Sequence, residues 1–132
     1  MPGASRRVHL QEALEYLEAA HEFQAAAEAS AAAGRWRAAG LDAIHAAIAA
    51  ADAVCVFEVG ERSSSSSHDD ASGLLARSGA PGAREKAEQL TAVLELKSQV
   101  AYESGLVKRS SAEVLLKRSR RLLDWAHELL KS

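Results

Sequence analysis

The sequence predicts an all-α protein, an up-and-down bundle of four long helices plus one short helix. Apolar residues recur at steps of three and four along most of the 132 residues, which is the helical period. No stretch of any length alternates apolar with polar residues as a strand does. The connections between the periodic segments are short, so neighbouring helices should run antiparallel. At this length we expect a single helical domain over residues 1–132.

Breaks rich in glycine and serine divide the chain into its helical segments. These segments are residues 5–33, 35–59, 68–78, 84–102 and 110 onward. Gly34 can take the left-handed conformation that ends a helix. Residues 60–67, GERSSSSS, are expected to form a flexible serine-rich loop. The last helix should open with a capping box between Ser110 and Glu113.

The second segment, residues 35–59, is the helix around which the bundle should assemble. It is apolar around nearly its whole circumference, as expected of a helix buried against several others. Its only polar residues between Leu41 and Phe57 are Asp42, His45 and Asp52. Steps of three and seven place these three along one line. The most buried predicted helix therefore carries a single ionisable stripe.

Composition excludes some classes of protein. The net charge of −2, from 18 acidic and 16 basic residues, gives no whole-protein attraction to nucleic acid or an anionic membrane. Residues 84–132 hold ten basic against seven acidic side chains, so an anion-binding surface should lie there. The lone Cys55 permits no internal disulfide and should be a buried, inert thiol. The apolar stretches fall short of the roughly 18 residues of a membrane span, so we expect a cytoplasmic protein without membrane insertion.

The sequence offers two partial patterns for a metal centre but does not favour one. Glu18 and His21, like Asp42 and His45, place a carboxylate and an imidazole one helical turn apart, as bundle di-metal proteins require. Such centres need two further inward carboxylates, and no spacing in the sequence insists on them. The alternative is that Glu18 and His21 face solvent and His45 is a hydrogen-bonded core histidine. We therefore expect no metal and no cofactor.

The basic run at residues 117–121, with two more cations just before the last helix, is the best candidate for contacting a phosphate backbone. Within it, Arg118 and Arg121 are the expected substrate-binding residues. A helix distributes such a run around more than half its girth, so not all of it can face one ligand. The alternative is the solvated face of an amphipathic helix.

Four stretches together resemble the HEPN superfamily: GLDAIHAAIAAADA, SHDDASGLL, LELKSQVAYES and AEVLLKRSRRLLDWA. The likeness covers nearly the whole chain and is greatest to the small stand-alone HEPN proteins common in actinobacteria. The resemblance implies a four- to five-helix bundle that is often dimeric. It also implies a metal-independent ribonuclease or toxin, a companion of a nucleotidyltransferase, or a protein that only binds RNA or nucleotide.

Active HEPN proteins carry an arginine, usually followed by a polar residue, and a histidine four to six residues further on. The corresponding positions here hold Lys97 and Tyr102. Lysine keeps the charge but lacks the planar fork with which arginine grips a phosphate. Tyrosine, with a reference pKa of about 10, cannot exchange protons at neutral pH as histidine does. Whether the chain is an endoribonuclease therefore stays open.

Two other pairs match the spacing formally, and we reject both. Arg62 and His68 span the serine-rich loop. Arg121 and His127 lie on the last helix, where six residues turn their side chains about 240° apart.

A specific hypothesis remains if the second and fourth helices pack side by side. The stripe of Asp42, His45 and Asp52 would then face Lys97 and Tyr102 across one polar cleft. His45 would carry the proton, oriented by an aspartate, and Lys97 would bind the phosphate, with Tyr102 as the third catalytic group. Asp42 and Asp52 would contact the substrate. The alternative is a buried structural network in which an aspartate pairs with Lys97 and Tyr102 donates a hydrogen bond.

Together with the resemblance, these residues predict an RNA-binding or nucleotide-binding protein, or a degenerate ribonuclease, of toxin–antitoxin or defence type. A homodimer is expected, and a protein partner would be an antitoxin or a nucleotidyltransferase. The alternative class is a non-catalytic protein-interaction module. Salt-dependent RNA binding would separate the two, since contacts to a phosphate backbone weaken steeply with salt.

Overall fold

The helices follow the predicted order with one addition. The computed structural model describes residues 2–63, 68–101 and 107–131. Within these residues there are six helices and no strand, which confirms the all-α prediction. They are α1 (Pro2–Ala32), α2 (Trp36–Val59), α3 (His68–Ala76), α4 (Ala83–Glu95), α5 (Lys97–Ala101) and α6 (Arg109–Lys131). Of the predicted serine-rich loop, residues 64–67 lie outside the described residues.

The first two helices run antiparallel. Gly34 adopts the predicted left-handed conformation, with φ of 75°, between α1 and α2. With distance from that turn, contacts between the helices join earlier residues of α1 to later residues of α2. Phe23 of α1 stacks on His45 of α2, and Gly60, just beyond the end of α2, lies against the ring of His9.

The remaining long helices complete an up-and-down bundle. Arg109, at the start of α6, lies over the ring of Trp36, at the start of α2, so these two helices run parallel. Trp125, near the end of α6, donates a hydrogen bond to the carbonyl of Pro81, just before α4, at 2.9 Å. Helix α4 therefore runs antiparallel to α6. Helices α1 and α4 point one way, and α2 and α6 the other.

Helix α2 is the centre of the core, as its sequence predicts, since it packs against every other helix. By length and composition it could cross a membrane, which corrects the expectation that every apolar stretch is too short. However, 67% of its most apolar window is buried inside the bundle. Packing among the other helices accounts for its apolar surface.

The predicted fourth helix is divided in two. Helix α4 ends at Glu95, and the N–H of Leu96 bonds to the carbonyls of Val93 and Leu94 in place of the carbonyl four residues back. Helix α5 then carries Val100 against Gly40 of α2, where a Cβ on the glycine would lie 3.2 Å from Val100 Cγ1. The break is therefore followed by a long-range contact that local periodicity does not reveal.

The start of α6 also differs from the prediction. The helix begins at Arg109, and the Glu113 carboxylate accepts a hydrogen bond from Arg109 Nε at 2.6 Å. The expected capping box, in which Glu113 bonds back to the backbone, is therefore wrong. An ion pair between residues four apart occupies the glutamate.

Candidate functional site

In the ionisable stripe of α2, His45 faces α1. His45 stacks on Phe23, with ring centroids 5.3 Å apart and planes inclined by 29°. Further along the stripe, the charge of Arg62 acts on Asp52. The guanidinium of Arg62 lies 5.6 Å from the ring centre of Tyr16 on α1. Burial raises the pKa of Asp52 to about 6, and Arg62 opposes that rise. Asp42 is half-buried on the same helix.

Lys97, from the other half of the predicted cleft, belongs to a helix that packs on the first turns of α2. Lys97 opens α5, and α5 is anchored there because Arg37 donates a hydrogen bond to the carbonyl of Val100. Among the described residues, His45 and Lys97 share no hydrogen bond or ring contact. Tyr102 lies outside the described residues. A cleft shared by His45, Lys97 and Tyr102 therefore stays a prediction.

Cys55 is buried beside Asp52, as expected of the lone cysteine. Burial, and secondly the Asp52 carboxylate, raise the pKa of its thiol to about 12. Because the thiolate is the reactive form, Cys55 is no nucleophile at neutral pH.

The basic run of α6 divides into cations that are paired and cations that are not. Arg120 Nη2 donates to both carboxylate oxygens of Glu28 on α1, each at 3.0 Å. The predicted substrate-binding residues are half-buried Arg118 and exposed Arg121. Among the described residues, neither of them nor Lys117 forms an ion pair. Helix α6 thus keeps three uncommitted cations in this run.

Helices α1 and α6 also bring two histidines into contact. His21 Nε2 lies 3.0 Å from His127 Nδ1, and the ring planes are nearly perpendicular at 85°. The pair borders a cavity of about 300 Å³ between the helices. The cavity is lined by Leu14, Leu17, Glu18, His21, His127 and Lys131.

The surroundings of His21 disfavour its protonated form. Burial is the main cause that lowers its pKa, followed by His127, Arg120 and, more weakly, Lys131, while Asp124 acts in the opposite direction. A neutral imidazole offers one nitrogen as a donor and the other as an acceptor. His21 can therefore accept a proton from a group entering the cavity while a neighbouring imidazole supplies one.

Sequence reasoning missed this pair, although it examined both residues. His21 appears with Glu18 as a metal candidate, and His127 appears with Arg121 as a rejected motif. The arginine beside the pair is Arg120, seven residues before His127, which is only about 20° short of two full helical turns. This spacing could have been recognised in the sequence, whereas the contact between His127 and α1 could not.

The pair is suited to proton transfer beside a bound anion. Two imidazoles can act as acid and base, and the cations Arg120 and Lys131 lie close enough to influence His21 electrostatically. Among the described residues, no group of three or more His, Cys, Asp or Glu side chains could hold a metal ion. The two imidazoles by themselves can supply acid–base chemistry.

A larger cavity of about 580 Å³ lies at the start of α2, around Trp36, Arg35 and Leu41. Val107, which also lines it, directly follows residues 102–106, which are outside the described parts of the chain. Its described walls are mainly apolar, with two arginines, and they hold no pair of histidines or carboxylates. The histidine pair is the better candidate site.

Comparison with known proteins identifies the family. The family model for the HEPN domain matches residues 13–129, a range that includes both His21 and His127. No curated protein matches the chain significantly, and no solved structure does so. A match over nearly the whole chain, on an all-helical bundle, shows that this protein belongs to the HEPN domain family.

Proposed function

We propose that this HEPN protein binds RNA along the exposed face of α6 and cleaves it at the His21–His127 pair. The observation that carries the proposal is the 3.0 Å contact between the two imidazoles, with Arg120 and Lys131 close enough to act on His21 electrostatically. Membership of a family that often has ribonuclease or nucleotide-related functions supports it.

The charge of α6 supports contact with a phosphate backbone. The helix carries six arginine and lysine side chains against three carboxylates. Lys117 and Arg121 are exposed and one helical turn apart, so both can reach phosphates of one strand. Backbone contacts of this kind provide most sequence-independent affinity for RNA.

The histidine pair supports cleavage without a metal. A neutral imidazole would accept the proton of a ribose 2′-hydroxyl, whose oxygen attacks the adjacent phosphorus. The bond from phosphorus to the 5′ oxygen breaks, and the second imidazole, protonated, donates its proton to that leaving oxygen. Arg120 and Lys131 would offset the charge that develops on the phosphoryl oxygens. The products are a 2′,3′-cyclic phosphate and a 5′-hydroxyl.

Binding is tested by titrating labelled single-stranded RNA at several salt concentrations. The double variant K117A/R121A should weaken binding and flatten the dependence of log K on log salt by about 1 to 1.5, the value for two lost contacts to a single strand. The matched control is R84A/K86A, which removes two cations from α4. An equal effect of the control, or binding that is insensitive to salt, would contradict binding along α6.

Cleavage is tested with H21A, H127A and H45A. Removal of either member of the pair should lower the cleavage rate by about 10² or more, the usual contribution of an acid–base group. H45A should keep the wild-type rate. Loss of cleavage in H45A alone would instead support the cleft around His45, Lys97 and Tyr102. If the unaltered protein binds RNA and does not cleave it, the proposed cleavage is wrong and RNA binding alone remains.

The alternative function is a protein-interaction module. Side chains of Val8 and Val114 are exposed, at 60% and 42%, and such residues are candidates for contact with another protein. In that case the protein would bind no RNA at physiological salt. We keep a homodimer, an antitoxin or nucleotidyltransferase partner, and a cytoplasmic location as part of the proposal.

A further inference from the structure

We infer that His21 and His127 also form a binding site for a divalent transition-metal ion of the Zn²⁺ or Cu²⁺ class, which would link α1 to α6. The inference is independent of RNA binding. It rests on the separation of the two ring nitrogens and the carboxylates beside them.

The distance between the ring nitrogens suits a shared ion. Zinc binds imidazole nitrogens at about 2.0–2.1 Å with tetrahedral geometry, which places two such nitrogens about 3.3 Å apart. His21 Nε2 and His127 Nδ1 are 3.0 Å apart. The two nitrogens would therefore need to move only a few tenths of an ångström further apart to bind one ion. Either ring nitrogen can serve as a ligand.

Carboxylates offset part of the positive charge near the pair. Arg120 is held by both oxygens of Glu28 at 3.0 Å and lies 3.8 Å from Asp124 Oδ1. Its charge still acts on His21 more strongly than that of Asp124, so a bound ion has to overcome this repulsion. Lys131 borders the same cavity but is exposed, so solvent screens it.

Two carboxylates lie close to the histidines in the sequence. Glu18 and Asp124 each precede one of the histidines by three residues, which is nearly one helical turn. Glu18 lines the same cavity as the two rings. Rotation of its side chain could add an oxygen ligand to the two nitrogens.

In the described parts of the chain there is no group of three ligands already assembled. The protein thus supplies two nitrogens, and water or a rotated carboxylate completes the coordination. Such a site should bind metals that prefer imidazole and should not retain Mg²⁺ or Ca²⁺, which prefer oxygen.

Metal binding would have one consequence that rests on the proposed function. An ion bound to both imidazoles occupies the lone pairs that cleavage needs. Zn²⁺ should then inhibit cleavage while RNA binding along Lys117 and Arg121 continues.

The test uses the full chain without an affinity tag, freed of metal by a chelator. Calorimetric titration with ZnCl₂ and with CuCl₂ should show one ion per chain, and MgCl₂ should show none. At about ten times the dissociation constant, the ion should raise the thermal midpoint by about 3 °C or more. Both readouts are free of RNA, so the proposed function can fail while this inference stands.

The variants decide the location of the ion. H21A and H127A should lose both the heat of binding and the thermal shift, whereas H45A should keep them. E18Q should weaken metal binding if Glu18 supplies a ligand. If E18Q binds the ion as tightly as wild type, water takes that position beside the two histidines. Circular dichroism confirms that each variant is folded. Unchanged binding in a folded H127A, no saturable binding, or half an ion per chain would overturn the inference.

Discussion

Replacement of Asp52 by asparagine should stabilise the protein at neutral pH. Asp52 lies on the central helix, and burial raises its pKa from 3.8 to about 6. A shift of about two units corresponds to roughly 3 kcal/mol, at about 1.4 kcal/mol for each unit. The value of about 6 already includes the attraction of Arg62. Burial of the asparagine amide offsets part of the gain, so we expect D52N to gain between about 1 and 3 kcal/mol at pH 8.

The sign of the pH dependence follows from the direction of that shift. The folded state binds the Asp52 proton more tightly than the unfolded state. The stability that this proton contributes is complete below pH 3.8, the unfolded value, and is lost as the pH rises through about 6. D52N cannot lose it, so the gain over wild type should grow between pH 4 and pH 8.

Urea denaturation of wild type and D52N at pH 4.5 and pH 8 measures the difference. D42N makes the same chemical change on the same helix and is the matched control. A gain equal at both pH values would show that the charge of Asp52 is not the cause. A loss of stability for D52N at pH 8 would refute the argument that burial disfavours this carboxylate.

Two further predictions concern the core. Ser119 Oγ donates to Gln24 Oε1 at 2.6 Å, and both residues are buried; S119A leaves that oxygen without a donor and should cost about 1–3 kcal/mol in urea denaturation. The double variant Q24L/S119A should recover much of the loss, and an equal or larger loss would contradict the assignment. G40V should cost about 1–3 kcal/mol because a Cβ there already lies 3.2 Å from Val100 Cγ1. G40A should stay near wild type, since its helix propensity offsets the close contact, and equal stability of G40V and G40A would contradict tight packing at this point.

Most of the helical pattern could be predicted from the sequence because helix formation depends on residues a few positions apart. The apolar circumference of α2 predicted its central place, and Gly34 predicted the end of α1. The break at Leu96 could not be predicted in this way. Beyond it, Val100 packs on Gly40, sixty residues earlier in the sequence, and a pattern of neighbouring residues does not reveal such a contact.

The candidate site was predicted only in part. Both histidines of the pair were noted in the sequence, but they were not paired with each other. His21 and His127 are 106 residues apart, and His45, chosen as the proton carrier, stacks on Phe23. The spacing of polar residues along α2 shows that they share a line, and it does not show which neighbour that line faces.

The helical class, the central helix, the positive charge of the C-terminal part and the resemblance to the HEPN family could all be inferred from the residues in order. These properties are local or compositional, so they need no coordinates. The contacts between ionisable groups became known from the folded bundle, because they depend on the rotation of each helix about its axis. The packing of α1 on α6 sets that rotation and joins the two histidines.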